Sequence, residues 1–170
     1  ITVALSFAAK TAASNFVSGL FLIFERPFKV GDSIQIKNIQ GTVTAIDLLS
    51  TKLKTSENTL IRIPNETINK SEITNLSHFK TRLLQIKLPV PHTVDISPIK
   101  TILLDLAKED KEVIEKPAPE VTLGDFTDSA IDLNLTFWTH TRDASAVKNR
   151  LQEAIRQELD KKKIKFFKDK

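Results

Sequence analysis

Residues 14–33, from Ser14-Asn15-Phe16 through Gly19 to Glu25-Arg26-Pro27-Phe28 and Gly31-Asp32-Ser33, constrain this chain more than any other stretch. An apolar helical run stops at Arg26-Pro27, a Gly-Asp turn follows, and an alternating strand pattern begins at Ser33. Pro27 ends the helix because it donates no backbone hydrogen bond and restricts the residue before it. The first half calls for a membrane or a partner helix. The second calls for a water-soluble sheet.

The segment before this junction, residues 1–24, is rich in small residues: Ala4, Ser6, Ala8, Ala9, Ala12, Ala13, Ser14, Ser18 and Gly19. Small side chains let helix backbones approach closely, which is how helices associate in lipid, where burial from water supplies no drive. As one helix the segment would run ~36 Å, enough to cross a bilayer, but Lys10 and Asn15 interrupt its apolar character. Such a helix needs a water-facing or protein-facing side. The chain has no initiator Met and opens inside this apolar pattern, so it reads as a piece of a longer protein or a processed product.

After the junction, Ser33–Lys37, Thr42–Ile46, Lys52–Lys54 and Leu60–Ile63 read as short strands, with Gly41 and Glu57-Asn58 as turns. Close spacing predicts a small, strongly bent sheet or barrel, and residues 65–80 read as a connector. From residue 81 the pattern changes. Leu84, Ile86 and Leu88 alternate as a strand, and Pro98 opens a helix carrying Ile99, Ile102, Leu103, Leu106 and Ala107. Val121, Leu123 and Phe126 form a strand, Asp128-Ser129 a turn, and Ile131 to Trp138 a second strand. Asp143 caps a helix whose inner face is Val147, Leu151, Ala154, Ile155 and Leu159, and Ile164 and Phe166 suggest a last short strand. The order β-α-β-β-α-β is that of a ferredoxin-like split βαβ unit.

Charge and composition narrow the function classes. The net charge of +4 comes from the tail: Lys161–Lys170 holds six Lys and one Asp, and the rest of the chain is close to neutral. A helix end favours cations for dipole reasons, so the tail needs no nucleic acid to explain it. Cysteine is absent, which excludes disulfides and thiolate metal sites. His78, His92 and His140 lie far apart, with no carboxylate or His at metal-ligand spacing, and no phosphate-binding or nucleophile motif occurs. No catalytic residue, metal or cofactor is therefore expected, and the chain does not read as an enzyme.

The junction at residues 14–33 and a second block, Arg62-Ile63-Pro64-Asn65 with Ile73-Thr74-Asn75-Leu76-Ser77, together resemble the MscS family of small-conductance mechanosensitive channels. The resemblance extends over nearly all 170 residues. It implies an α+β chain in three parts: the end of a pore-lining transmembrane helix (residues 1–25), a small Sm-like or SH3-like β-domain (26–78), and a ferredoxin-like α/β cytoplasmic domain (79–170). It implies a homoheptamer in the bacterial inner membrane, with residues after about 26 in the cytoplasm, that releases ions and small solutes when tension rises in hypo-osmotic shock. Membrane lipid and permeating ions are the other implied partners.

Residue by residue, the resemblance places Val3 and Phe7 at the pore constriction; at i and i+4 they share a helix face, which alone would equally suit a buried stripe. A ring of such side chains closes a pore by dewetting. Family members usually carry leucines there, so Phe7 is a departure. Thr11 stands where well-known members bend this helix at a glycine, with Lys10 beside it, while Gly19 matches a family glycine. Thr11, Asn15 and Gly19 are thus implied in kinking and packing. Asn15 is either an ordinary interfacial residue or, with Ser14, a hydrogen-bonding link to the β-domain or a neighbouring subunit. Arg26 and Lys29 suit lipid headgroups and suit a solvated turn equally. Two other classes are a nucleic-acid-binding module of Sm-like or OB-like form and a non-conducting membrane-attached adaptor. Against the first, Phe28 is the only aromatic between residues 25 and 78, too few for a base-stacking platform.

Overall fold

A computed structural model describes residues 2–162 and 164; of residues 2–8 the backbone alone is described. The chain divides into two compact units, residues 1–78 and 79–170.

The first unit opens with α1 (Thr2–Glu25), a single helix that contains Thr11 and Gly19. Among the described residues no helix is both long and apolar enough to cross a membrane. Arg26 leaves α1 in the left-handed conformation (φ 50°), its N–H still donating to the Leu22 carbonyl, and Pro27 prevents continuation. Five antiparallel strands follow: β1 (Ser33–Ile36), β2 (Ile39–Ile46), β3 (Ser50–Lys54), β4 (Leu60–Pro64) and β5 (Ile73–Asn75), in sheet order β4-β3-β2-β1-β5. Ile34 and Ile36 point one way and Gln35 the other, so the period-two pattern puts Ile34, Ile36, Val43, Leu53 and Ile63 into one core with Phe28 and Ile68. An irregularity in β2 between Val43 and Ala45 bends the sheet.

Two expectations need correction here. Gly41 is not a turn: the β1–β2 hairpin turns at Lys37, which takes φ 53°, and Gly41 lies within β2. There a Cβ would come 2.8 Å from the Lys54 carbonyl oxygen, so glycine serves close strand approach. Residues 65–80 are not a plain connector either. They hold α2 (Asn65–Asn69) and β5, whose three residues pair with β1 and extend the sheet. Both elements are too short to show periodicity.

The second unit runs β6 (Thr81–Pro91), α3 (Ile96–Glu109), β7 (Glu120–Phe126), β8 (Ala130–His140) and α4 (Ala144–Lys161). The sheet order β6-β8-β7, antiparallel throughout, is a split βαβ unit with β8 inserted between β6 and β7. Alternate residues Leu133, Leu135 and Phe137 of β8 meet Ile86 and Val90 of β6, Ile99 and Leu103 of α3, and Val147, Leu151, Ile155 and Leu159 of α4. The Asp95 side chain accepts a hydrogen bond from the Ser97 N–H and caps α3. Asp143 makes no such cap: a 3-10 turn (Thr141–Asp143) leads into α4, and the Asp143 carboxylate pairs with Arg142 instead. Ile164 lies in no strand, although it packs against the core; Phe166 lies outside the described residues. The whole is α+β, as the sequence predicts.

Candidate functional site

Asn15, Ser18, Gly19 and Leu22 recur at helical spacing on one stripe of α1, and all four are buried. Leu22 enters the core of the strands, beside Phe28 and Ile68. The other stripe carries Phe16, Val17, Phe21 and Phe24, exposed by 42, 49, 49 and 81%. One face of the helix is thus seated on its own β-domain, and the other is apolar and open.

The seat is a hydrogen-bonded knot around Asn65. This side chain is fully buried; its Nδ2 donates to the Asp47 carbonyl (2.8 Å), and its Oδ1 accepts from the Thr51 hydroxyl (2.9 Å). Its backbone N–H donates to the Leu49 carbonyl (3.1 Å). Asn65 therefore fixes the β2–β3 turn against the start of α2. Gly19 fits into that turn, where a Cβ would collide with the Leu48 carbonyl oxygen and lie 2.6 Å from Asn65 Nδ2. Asn15 completes the join: its Oδ1 accepts from the Glu66 backbone N–H (3.0 Å), while its Nδ2 donates to the Thr11 carbonyl within α1 (2.9 Å).

A second knot holds the exit of α1. Asp32 Oδ2 accepts from the Lys29 N–H and from Asn75 Nδ2, both at 2.9 Å, and Asn75 Nδ2 also reaches the Pro27 carbonyl (3.2 Å). Asn75 Oδ1 accepts from the Ser77 N–H, and the Ser77 hydroxyl oxygen accepts from the Ser33 N–H. Hydrogen bonding by Asn75 holds the Asp32 carboxyl below the usual range; the Lys29 N–H, Ser77 and the Lys29 charge act in the same direction, and burial opposes them. Arg26 and Lys29 are exposed; the Arg26 Nε caps the helix by donating to the Ile23 carbonyl (3.3 Å).

Asn15 and Gly19 meet at the first knot, with the Thr11 carbonyl accepting from Asn15 one turn back on α1; Lys29 belongs to the second knot, and Arg26 holds the Ile23 carbonyl at the helix end. The side chains of Val3 and Phe7 lie outside the described residues. Leu22, Asn65 and Glu66 join the site although none is a site residue expected from the sequence. Leu22 stands seven residues after Asn15 and four after Ser18, a spacing that could have identified it.

In the second unit, Arg150 forms a fork onto Asp110, with Nε and Nη2 each 2.8 Å from a carboxylate oxygen, and reaches Glu112 at 3.2 Å. The Arg150 guanidinium holds the Asp110 carboxyl low. This pair ties the loop after α3 to α4. Among the described residues no group of three or more His, Cys, Asp or Glu side chains could hold a metal.

Both motif blocks of the sequence therefore meet in space. Residues 11–78 match the family model of the mechanosensitive ion channel β-domain, and residues 84–166 match that of the C-terminal domain of the mechanosensitive ion channel MscS. The chain belongs to the MscS family. An MscS family protein of Synechocystis is 31% identical over 163 residues, covering 96% of this chain and 55% of its own. A family member from Archaeoglobus fulgidus is 30% identical, covering 96% and 58%. The mechanosensitive channel MscK of Escherichia coli is 33% identical over 148 residues, 85% of this chain and 13% of that protein. The crystal structure of Helicobacter pylori MscS in its closed state superposes with a TM-score of 0.90 at 25% identity, covering 99% of this chain and 67% of that one. The chain spans rather more than half the length of the first two MscS relatives.

Proposed function

We propose that this chain is the inner end of the pore-lining helix (residues 1–25), the β-domain (26–78) and the cytoplasmic α/β domain (79–170) of a mechanosensitive channel subunit. The complete channel releases ions and small solutes when membrane tension rises in hypo-osmotic shock. The observation that carries this reading is the two-sided character of α1. Asn15, Gly19 and Leu22 join it to the β-domain, while Phe16, Val17, Phe21 and Phe24 offer an apolar stripe that identical subunits or lipid would cover. A helix so joined can carry a change in its packing to the domain below it.

In this reading identical subunits, seven by family resemblance, surround a pore in the bacterial inner membrane, with residues after about 26 in the cytoplasm. Val3 and Phe7 project to the axis as a narrow apolar throat that water leaves, and that tension reopens by favouring the state of larger area. Thr11, Asn15 and Gly19 set the bend and packing of the helix. Arg26 and Lys29 meet lipid headgroups at its end. Burial of Phe28 supports a role other than nucleic-acid binding, since it leaves the described surface of the β-domain without an aromatic platform.

The test is expression of the full-length protein in bacteria lacking their own mechanosensitive channels, followed by hypo-osmotic dilution, with native mass spectrometry of the extracted protein. Restored survival and a closed ring of identical subunits are expected. A stable monomer that gives no protection would contradict the reading.

A further inference from the structure

Away from its two knots, the first unit carries a cleft of about 610 Å³ between the β1–β2 hairpin, α2 and the start of β5. That volume lies in the range of small-molecule sites. Gln35 and Thr74 face each other across β1 and β5, on the side of the sheet away from Ile34 and Ile36, and both line the cleft. Thr67, Lys70 and Ser71 bring α2 and its end to it, and Lys37 and Glu72 complete a lining that is polar or charged throughout.

Lys37 is the residue that turn chemistry does not explain. Ile36 pairs with Ile39, so Lys37 and Asn38 make a two-residue turn, and of these two only Lys37 takes a positive φ, 53°. Glycine is the ordinary residue at that first position, because a side chain there is strained. Gln35 steadies the turn, its Nε2 donating to the Lys37 carbonyl (3.1 Å). The Lys37 ammonium is exposed and has no partner among the described residues, and the Thr67 and Thr74 hydroxyls have none either. Lys70 pairs with Glu66 at 2.6 Å but is 73% exposed, which leaves its other N–H bonds free to reach the cleft.

We propose that this cleft binds the phosphate group of a small hydroxylated ester, with Lys37 and Lys70 holding its oxygens and the Thr67 and Thr74 hydroxyls donating to them. Charge-assisted bonds of this kind are the strong ones, and phosphate oxygens accept several at once. Ser71 already donates to the Thr67 carbonyl (2.6 Å), so it offers only its oxygen. The Glu72 carboxylate, exposed and likewise without a partner among the described residues, accepts from the ester's hydroxyls and opposes a bare polyanion. A nucleobase does not suit the cleft, since no aromatic side chain lines it. A soluble phosphate ester and a lipid headgroup carry the same chemistry. The site belongs to the β-domain and does not rest on the channel reading.

Phosphorus NMR of glycerol 3-phosphate, titrated into the full-length protein in a phosphorus-free maltoside detergent, tests the site. The probe's line should broaden with wild-type protein, and excess glycerol should not reverse the broadening. Lys37→Gly removes the ammonium and gives the turn its ordinary residue. It should weaken binding about ten- to a hundredfold, while hydrogen exchange of residues 33–46 stays as slow as in wild type. Lys70→Gln and Thr74→Val should weaken binding too. Phosphatidylglycerol added to the micelles separates the two sources: it displaces the probe if a headgroup is the natural ligand and leaves it bound if a soluble ester is. No broadening with wild type, or equal broadening with Lys37→Gly, would overturn the proposal. Faster exchange of the hairpin in Lys37→Gly would also overturn it, because the lysine would then serve the turn. None of these readouts requires conductance, so failure here is distinct from failure of the channel reading.

Discussion

Gly19 and Asn65 share one space: a Cβ on Gly19 would lie 2.6 Å from Asn65 Nδ2, and it would strike the Leu48 carbonyl oxygen in the turn that Asn65 fixes. The absence of a side chain at Gly19, with the two side-chain hydrogen bonds and one backbone hydrogen bond of Asn65, makes a single joint between α1 and the β-domain.

Gly19→Ala should therefore destabilise the first unit although alanine is the better helix former. Helix propensity favours Ala by about 1 kcal/mol, while overpacking against a backbone carbonyl costs about 1–3 kcal/mol. The two overlap, so the joint decides: Leu48 belongs to a turn pinned by Asn65, and the carbonyl cannot simply move aside. Asn65→Leu keeps the volume but leaves the buried Thr51 hydroxyl and the Asp47 carbonyl without their partner, at about 1–3 kcal/mol for each unsatisfied group. Hydrogen exchange across residues 42–54 should report both losses. Protection equal to wild type in both variants would mean that the joint bears no load.

The α1 seat was only partly legible in the sequence. The stop at Pro27, the strands of the first unit and the βαββα order of the second follow from local chemistry and period, and these features are what the structure shows. Asn65 could not be read so, because its partners Asp47, Leu49 and Thr51 lie 14 to 18 residues away, and no local pattern marks a side chain that satisfies a distant turn. Leu22 is legible only through its spacing from Asn15 and Ser18, since in a helix apolar on both stripes hydropathy does not separate the buried stripe from the open one. Gly41 misled because glycine signals turns more often than close strand approach, and Asp143 because a helix-start aspartate can pair with a neighbouring arginine.

Asp32 gives the first unit a pH dependence of known sign. Its folded pKa is depressed, so the carboxylate stabilises the fold above the ordinary aspartate value of about 3.9, and that contribution is lost as pH falls through the folded value. Asn75→Ala removes the largest cause of the depression, and the Asp32 titration followed by NMR should move up toward the ordinary value. An unchanged Asp32 midpoint in Asn75→Ala would show that the second knot does not hold the carboxylate as drawn.

The Arg150 fork is testable in isolation, because Trp138 is the sole tryptophan and sits in β8 of the second unit. Arg150→Gln should lose the paired bonds to Asp110 and lower stability only modestly, since the guanidinium is half exposed and solvent screens the pair. Denaturant unfolding monitored by Trp138 fluorescence should show an earlier midpoint. Lys at this position should recover little, as it cannot form the fork.

Val3 and Phe7, at i and i+4 on α1, are the proposed throat. A polar side chain gives water the hydrogen bonds that an apolar ring denies it. Phe7→Ser in the full-length subunit should open at lower tension in patch recordings, and cells expressing it should grow poorly from ion leak. Phe16→Ser, on the open stripe of α1, should impair folding or closure without wetting the pore. A Phe7→Ser channel that assembles with an unchanged threshold would place Phe7 against a neighbouring helix instead.

The most direct measurement is conductance across patches of liposomes containing the purified full-length protein, recorded while suction raises membrane tension. Discrete openings should appear above a reproducible tension and vanish when it is released. Patches that hold assembled protein yet stay silent up to the tension at which the bilayer breaks would contradict the assignment of this chain to a tension-gated channel.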